Sequence, residues 1–553
     1  MEDQRNTLKI HPKDNVLVAL TDLPKNKEIF FEGEKYCIQD KVAAKHKFAT
    51  EKLQKGDAVY MYGVLVGRAK KEIAKGGLIS TTNLLHDTEK YSTEDLYDTV
   101  NWEMPNISKF KTKTFDGYHR ADGKVGTENN WLIIPLVFCQ NRNVEVLKEA
   151  LVDKLGFGKP QHLGLDVDAI IEDYKAGASM DAILNKDIIR TQKEQIKNPL
   201  FPNIDGIHFL THEGGCGGAT SDSVALCHLL AGYINNANVA GATILSLGCQ
   251  HAQASILENA LREMSPKHKK PIYVLEQQEI ENEQELLAAA VKKTFAGLMI
   301  ANKNTRKPAS LDKLVIGLEC GGSDGFSGIS ANPTLGYVSD LIVALGGSAV
   351  LAEFPELNGV EQELINRCTL KEKADKFSTI MSTYSEKADA LGAGFYANPS
   401  PGNIKDGLIT DAIKSAGAAK KGGSSPIEDV LDYTEQVTAA GLNLLCTPGN
   451  DVESTTGLAG SGCNVILFTT GLGTPTGNPI TPVIKVSSNT KLFHKMPGII
   501  DFNTGTIIEG VTTIEQAGED LLNLVIEVAS GKLTKAKQLR QDDFIPWKRG
   551  MSL

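Results

Sequence analysis

From Asp116 onward one pattern recurs: an apolar run of strand length, a glycine-rich loop, then a helical stretch. GIHFLT (206–211) runs into HEGGCGGAT and SDSVALCHLLAGY, and ATILSL (242–247) into GCQ and HAQASILENALREM. KLVIGLE (313–319) runs into CGGSDGFSGIS, after which Pro333 behind Asn332 predicts the opening of a helix. SAVLAEF (348–354), LNLLCT (442–447) and NVILFTT (464–470) lead in the same way into PELNG, PGNDVESTTG and GLGTPTGNP. Strand, loop and helix repeated like this predict a large α/β region with mostly parallel sheets. No fixed repeat length marks a solenoid array. Ligands of such sheets gather at the carboxyl ends of the strands, so the glycine-rich loops are where chemistry is expected.

The chain ahead of this region differs. Residues 1–90 read as a small β-rich module, with NVLVALTDL (15–23), AVYMYGVLVGRA (58–69) and LISTTNL (78–84) separated by Lys-Gly and Gly-Gly turns. Residues 91–115 are polar, charged and without periodicity, as a linker would be. The α/β region is expected to divide into halves at 116–310 and 311–553. With 58 basic and 68 acidic residues the net charge is −10, which disfavours nucleic acid and anionic membranes as partners. The N-terminus shows no basic head followed by an apolar core, and no apolar run is long enough for a bilayer. The nine scattered cysteines form no disulfide framework, so a cytoplasmic protein with reduced thiols is expected. A homo-oligomer is compatible with all of this.

Three cysteines fall in matching places, just past predicted strands and beside glycines: Cys216 in HEGGCGG, Cys249 in SLGCQ and Cys320 in LECGG. If their strands are neighbours, three thiolates meet at one sheet edge, a donor set for iron or zinc that leaves a position open for substrate. The ordinary alternative for each is a small buried residue. His212 and Glu213 precede the first of these loops and are candidates for proton transfer. His46 in AAKHKFA is a further candidate reaching in from the small module. Arg120 and Lys124, in DGYHRADGKVGTENNW, could clamp a carboxylate, although a solvated basic turn has the same composition. GLGTPTGNP lacks the Gly-Lys-Ser/Thr ending of a phosphate loop, so nucleotide binding is disfavoured.

Together these segments resemble the altronate/galactarate dehydratase family along the whole chain. IHPKDNVLVALTDLP and KHKFA resemble its N-terminal β-clip domain of the SAF class, and GYHRADGKVGT resembles the opening of its large domain. HEGGCGG, LSLGCQHAQ, GLECGGSDGFSGISANPTLG, NPSPGN, TPGNDVESTTG and LFTTGLGTPTGNP continue the match in order. The resemblance implies dehydration of D-altronate to 2-dehydro-3-deoxy-D-gluconate in hexuronate breakdown, a hydro-lyase reaction with Fe(II) required, an iron–sulfur cluster being the alternative form. It places Cys216, Cys249 and Cys320 within family motifs. Galactarate or a sulfonated hydroxy acid is the alternative substrate, and a non-catalytic sugar-acid binding protein is the distant one. One departure stands out: a histidine-rich stretch found in some members corresponds here to Leu78, Ile79, Ser80, Thr81, Thr82 and Asn83, with only the asparagine kept.

Overall fold

The computed structural model describes residues 6–94, 102–158, 164–190, 199–266 and 269–552. Part of the expected linker, 95–101, thus lies outside the described residues. Two parallel sheets carry the large region. In the smaller, Asn130–Pro135 lies between Gly206–Phe209 and Val239–Ser246, and Ile272–Glu276 flanks the latter. Every residue of Asn130–Pro135 and Val239–Ser246 is buried. A parallel sheet covered on both faces demands this, which is why these strands read as unbroken apolar runs.

The larger sheet has seven strands, all neighbours parallel. Their order is Ile427–Leu431, Gly441–Leu445, Ser348–Leu351, Val315–Cys320, Val465–Thr470, Val483–Ser487 and Phe502–Asn503. The first strand in sequence is the central one, and the chain builds first to one side of it and then to the other. That reversal opens a crevice beyond the carboxyl end of Val315–Cys320. Among the described residues no helix is long and apolar enough to cross a membrane.

Helix Ala331–Ala344 covers this sheet, capped at Ser330, so Pro333 stands at its third position rather than its first. The missing N–H costs nothing there, because the first four amides of a helix have no partner within it. Gly336 presses this helix onto the turn Lys420–Gly422, so closely that a Cβ would collide with the Lys420 carbonyl. Gly336→Ala is therefore expected to cost about 1–3 kcal/mol through overpacking. It should also shift the turn that carries Lys421, and denaturant unfolding together with activity would show both effects.

The N-terminal module is antiparallel. Thr7–Leu8, Val16–Ala19, Lys47–Ala49 and Leu78–Ile79 pair in that order. The hairpin Glu28–Phe31 with Glu34–Cys37 and the strands Ala58–Met61, Val64–Ala69 and Leu84–Leu85 complete it. It is fastened to the C-terminal region by buried charge. Lys45 Nζ lies 2.9 Å from both Asp324 Oδ2 and Asp406 Oδ1, and Lys47 Nζ donates to Gly407 O at 2.7 Å. Asp324 follows Cys320 by four residues, so the module sits at the carboxyl edge of the large sheet. The expected architecture, a small β module ahead of an α/β body on parallel sheets, is what the structure has.

Candidate active site

Beyond the central strand, side chains from four segments converge in the interior. Cys320 ends Val315–Cys320, Glu353 and Glu356 follow Ser348–Leu351, Lys414 lies on helix Asp411–Ala419, and Lys421 sits in the turn behind it. Lys421 Nζ is 2.9 Å from Cys320 Sγ and forms a short ion pair with Glu353 Oε2. Cys320 Sγ lies 3.1 Å from Glu356 Oε2. Lys414 Nζ pairs with Glu356 Oε1 at 2.6 Å and donates to Asn398 Oδ1 at 2.8 Å. The side chains of Lys421 and Glu353 are 1% and 0% exposed, so each ion depends on its partner rather than on water.

Glu353 is held in place against its own backbone preference. Its φ of 70° and ψ of 61° are left-handed, a conformation costing roughly 1–3 kcal/mol for a residue with a side chain. Its amide donates to Thr447 Oγ1 at 2.9 Å, and its Oε2 accepts the Cys320 amide at 3.0 Å. Ser454 Oγ, 2.8 Å from Thr447 Oγ1, donates to Glu319 Oε2 at 2.6 Å. Glu319 in turn shares a side-chain hydrogen bond with Glu353.

The charges follow from burial and these contacts. Burial, reinforced by Glu353, pushes Glu319 well above the usual carboxylate range, so it is the protonated member of that pair. Burial also raises the Cys320 thiol and Glu353. For Glu356 the ammonium groups of Lys414 and Lys421 outweigh burial and hold it below its ordinary value. For Lys421 burial is outweighed by the carboxylates of Glu353 and Glu356, and for Lys414 by those of Glu356 and Glu353, so both stay cationic. Two carboxylates thus face two ammonium groups around a neutral thiol. Asp451, which opens helix Asp451–Gly460, is pushed up to about 7 by burial and by the charges of Glu353 and Glu356. It packs directly over Gly321, where a Cβ would strike its carboxylate.

The first turn of the same helix borders a cleft of about 780 Å³. His212, Glu213, Cys216, Tyr433, Glu453 and Trp547 are among its walls. It is bounded by loops from the carboxyl ends of both sheets and by the C-terminal segment. Lys548 Nζ of that segment donates to Glu213 O at 2.7 Å, and Arg549 pairs with Asp432 at 2.6 Å.

The three thiols expected to share a metal are not brought together. Among the described residues, metal-ligating side chains converge at Cys320, Glu353 and Glu356, whose ligand atoms lie within 4.8 Å of one another. Cys216 and Cys249 follow strands of the smaller sheet and Cys320 a strand of the larger one, so equivalent places in sequence become different places in space. Cys216 is half-buried on the cleft and Cys249 is exposed. Their loops do touch, through the Ala252 amide and Gly215 O at 3.0 Å.

His212 is buried with both ring nitrogens engaged: Nδ1 accepts the Gly214 amide at 3.0 Å, and Nε2 donates to Pro135 O at 2.7 Å. The ring shapes the glycine-rich loop, and neither nitrogen is left for a ligand. Burial pushes its pKa from 6.5 down to about 4. A histidine depressed on folding contributes stability that is whole above pH 6.5 and is lost as pH falls toward 4. The loss is expected to reach about 3 kcal/mol. Urea midpoints measured across that window should fall in the native protein and fall less in His212→Gln.

Glu213 has an exposed side chain at the cleft. His46 lies at the junction with the N-terminal module, its Nε2 3.1 Å from Lys405 O, and burial lowers its pKa. Arg120 spends its guanidinium on Ala237 O, Asn129 Oδ1 and Glu128 O at 2.7, 2.9 and 3.1 Å. Ala237 lies just ahead of Val239–Ser246, so Arg120 braces the amino end of the smaller sheet, opposite the HEGGCGG loop. Lys124 is nearby, 4.0 Å from Asp122 Oδ2, and burial lowers its pKa. Sequence reasoning passed over Glu353, Glu356, Lys414, Lys421 and Asp451. The available signal was AEFPE (352–356), two carboxylates three residues apart just past a strand.

Models of one family cover nearly the whole chain. The Altronate/galactarate dehydratase SAF domain matches residues 5–87, the D-galactarate dehydratase/Altronate hydrolase second domain 117–302, and the D-galactarate/Altronate dehydratase C-terminal domain 311–552. The chain is 32% identical over 552 residues to an altronate dehydratase of Bacillus subtilis (strain 168), covering 99% of this chain and 100% of that one. It is 31% identical over 549 residues to an altronate dehydratase of Escherichia coli (strain K12), covering 99% of each. A galactarate dehydratase (L-threo-forming) of the same strain is 29% identical over 532 residues, covering 95% of this chain and 93% of the relative. The chain belongs to the altronate/galactarate dehydratase family of hydro-lyases.

Proposed function

We propose that this protein dehydrates D-altronate to 2-dehydro-3-deoxy-D-gluconate, with the Cys320–Glu353–Glu356–Lys414–Lys421 cluster as its catalytic centre. The observation that carries this reading is the buried, charge-balanced cluster at the crevice of the large sheet, beside a carboxyl group whose pKa lies near 7. Altronate is preferred as substrate because the full-length relatives above 30% identity carry that name.

The donor chemistry suits iron(II). Cys320, Glu353 and Glu356 would hold it, one sulfur and two carboxylates whose ligand atoms already converge. That the space among them accommodates a cation is supported by the Lys421 ammonium, which contacts two of the three. When bound, such an ion supplies a Lewis acid that draws charge from the substrate's oxygens.

The remaining work falls to the chain. Lys414 and Asn398, at the less buried side of the cluster, bind the substrate carboxylate by a charged and a neutral hydrogen bond. Asp451 takes the proton from C2, for which a pKa near the working pH is best suited. The same carboxyl group hands that proton to the departing C3 hydroxyl, so water leaves, and the enol rearranges to the 2-keto acid.

The test is anaerobic incubation of the iron-loaded protein with a panel of aldonic, aldaric and sulfonated hydroxy acids, reading 2-keto acid formation. Product from altronate at the highest kcat/KM is expected. Preference for another acid would overturn the substrate, and absence of product from all would overturn the catalytic reading.

A further inference from the structure

Two of the atoms assigned above to a metal are already in contact with a positive charge. Lys421 Nζ lies 2.9 Å from Cys320 Sγ and is ion-paired to Glu353 Oε2, at the most buried side of the cluster. An ammonium group and a divalent ion cannot share those two donors, because their repulsion in a dry interior far exceeds its value in solvent. Lys414 is placed differently. It meets only the outer oxygen of Glu356 and the Asn398 amide, so it can remain while a metal enters.

We propose that Lys421 is the resident counter-cation of the Cys320–Glu353–Glu356 set, and that a divalent metal enters only by displacing its ammonium group. The inference rests on the metal reading given above. In the metal-free state the ammonium neutralises Glu353 and keeps the ligand atoms converged. On metal entry it gives up these contacts, and the Cys320 thiol releases its proton to solvent to bind as thiolate. The site is thereby preformed for metal yet guarded, because an ion must outcompete a tethered cation.

Cobalt(II) is a convenient probe, since its thiolate complexes absorb in the near ultraviolet. Anaerobic titration of the full-length protein should give a cobalt–thiolate band that Cys320→Ser abolishes. Lys421→Met should tighten cobalt binding at least tenfold, whereas Lys421→Arg, which keeps the charge, should stay within about threefold of the native protein. If Lys421→Met does not fold without metal, cobalt should restore its circular dichroism and the thiolate band together. Unchanged or weaker cobalt binding in Lys421→Met, or no recovery of fold with metal, overturns the exchange while leaving the metal site standing. Absence of any Cys320-dependent band in the native protein overturns the metal reading itself.

Discussion

Glu353→Gln is expected to lower kcat for dehydration by about 10²–10⁴-fold or more, because one side chain serves every part of the cluster. Glu353 pairs with Lys421, accepts the Cys320 amide, shares a proton with Glu319 and stands among the ligand atoms. Glutamine keeps the shape and removes the charge. Lys421 is then left as a buried cation facing a neutral thiol and one more distant carboxylate, a loss of about 3–5 kcal/mol in comparable buried pairs. The variant should therefore be both inactive and less stable. Activity at a temperature where circular dichroism still shows a native fold separates the two effects. Turnover within tenfold of the native enzyme would remove Glu353 from the centre.

Asp451→Asn is expected to cost a comparable 10²–10⁴-fold in kcat, with little change in stability. Burial and the neighbouring Glu353 and Glu356 raise the carboxyl to about 7, so asparagine, being neutral, relieves an unfavourable anion instead of leaving a partner unpaired. As the base, Asp451 must be ionised, so kcat/KM should fall as pH drops through about 7 in the native enzyme. In Asp451→Asn the small remaining activity should lose this limb. A native profile flat from pH 6 to 8, or an unchanged limb in the variant, would assign the proton transfer to another group.

The fold was legible because parallel sheets leave a strong mark. Runs such as WLIIP and VILFTT are buried on both faces and are mainly apolar, and several of the runs, VILFTT among them, end in a loop rich in glycine. Those loops also mark the carboxyl ends of the strands as the ligand-bearing edge of each sheet. The partners within the site were not legible, because sequence does not say which loops face each other. Cys216 and Cys320 stand in matching local contexts but on different sheets, so the symmetry of the motifs misled. His212 and Arg120 attracted notice by residue type, yet each is consumed by backbone groups that only the folded chain supplies. Lys421 was hidden for the opposite reason. In AAKKGG it reads as one half of a solvated basic pair, and only the approach of helix Ala331–Ala344 through Gly336 seats its turn in the interior.

The most direct test is to find where iron sits. Crystals of the full-length protein grown anaerobically with iron(II) and measured on both sides of the iron edge should show one strong anomalous peak. That peak should lie among Cys320 Sγ, Glu353 and Glu356, with Asp451 across from it. Density instead beside Cys216 and Cys249, with none at Cys320, would mean that the metal chemistry belongs to the smaller sheet and that the lysine–carboxylate cluster is only a strut.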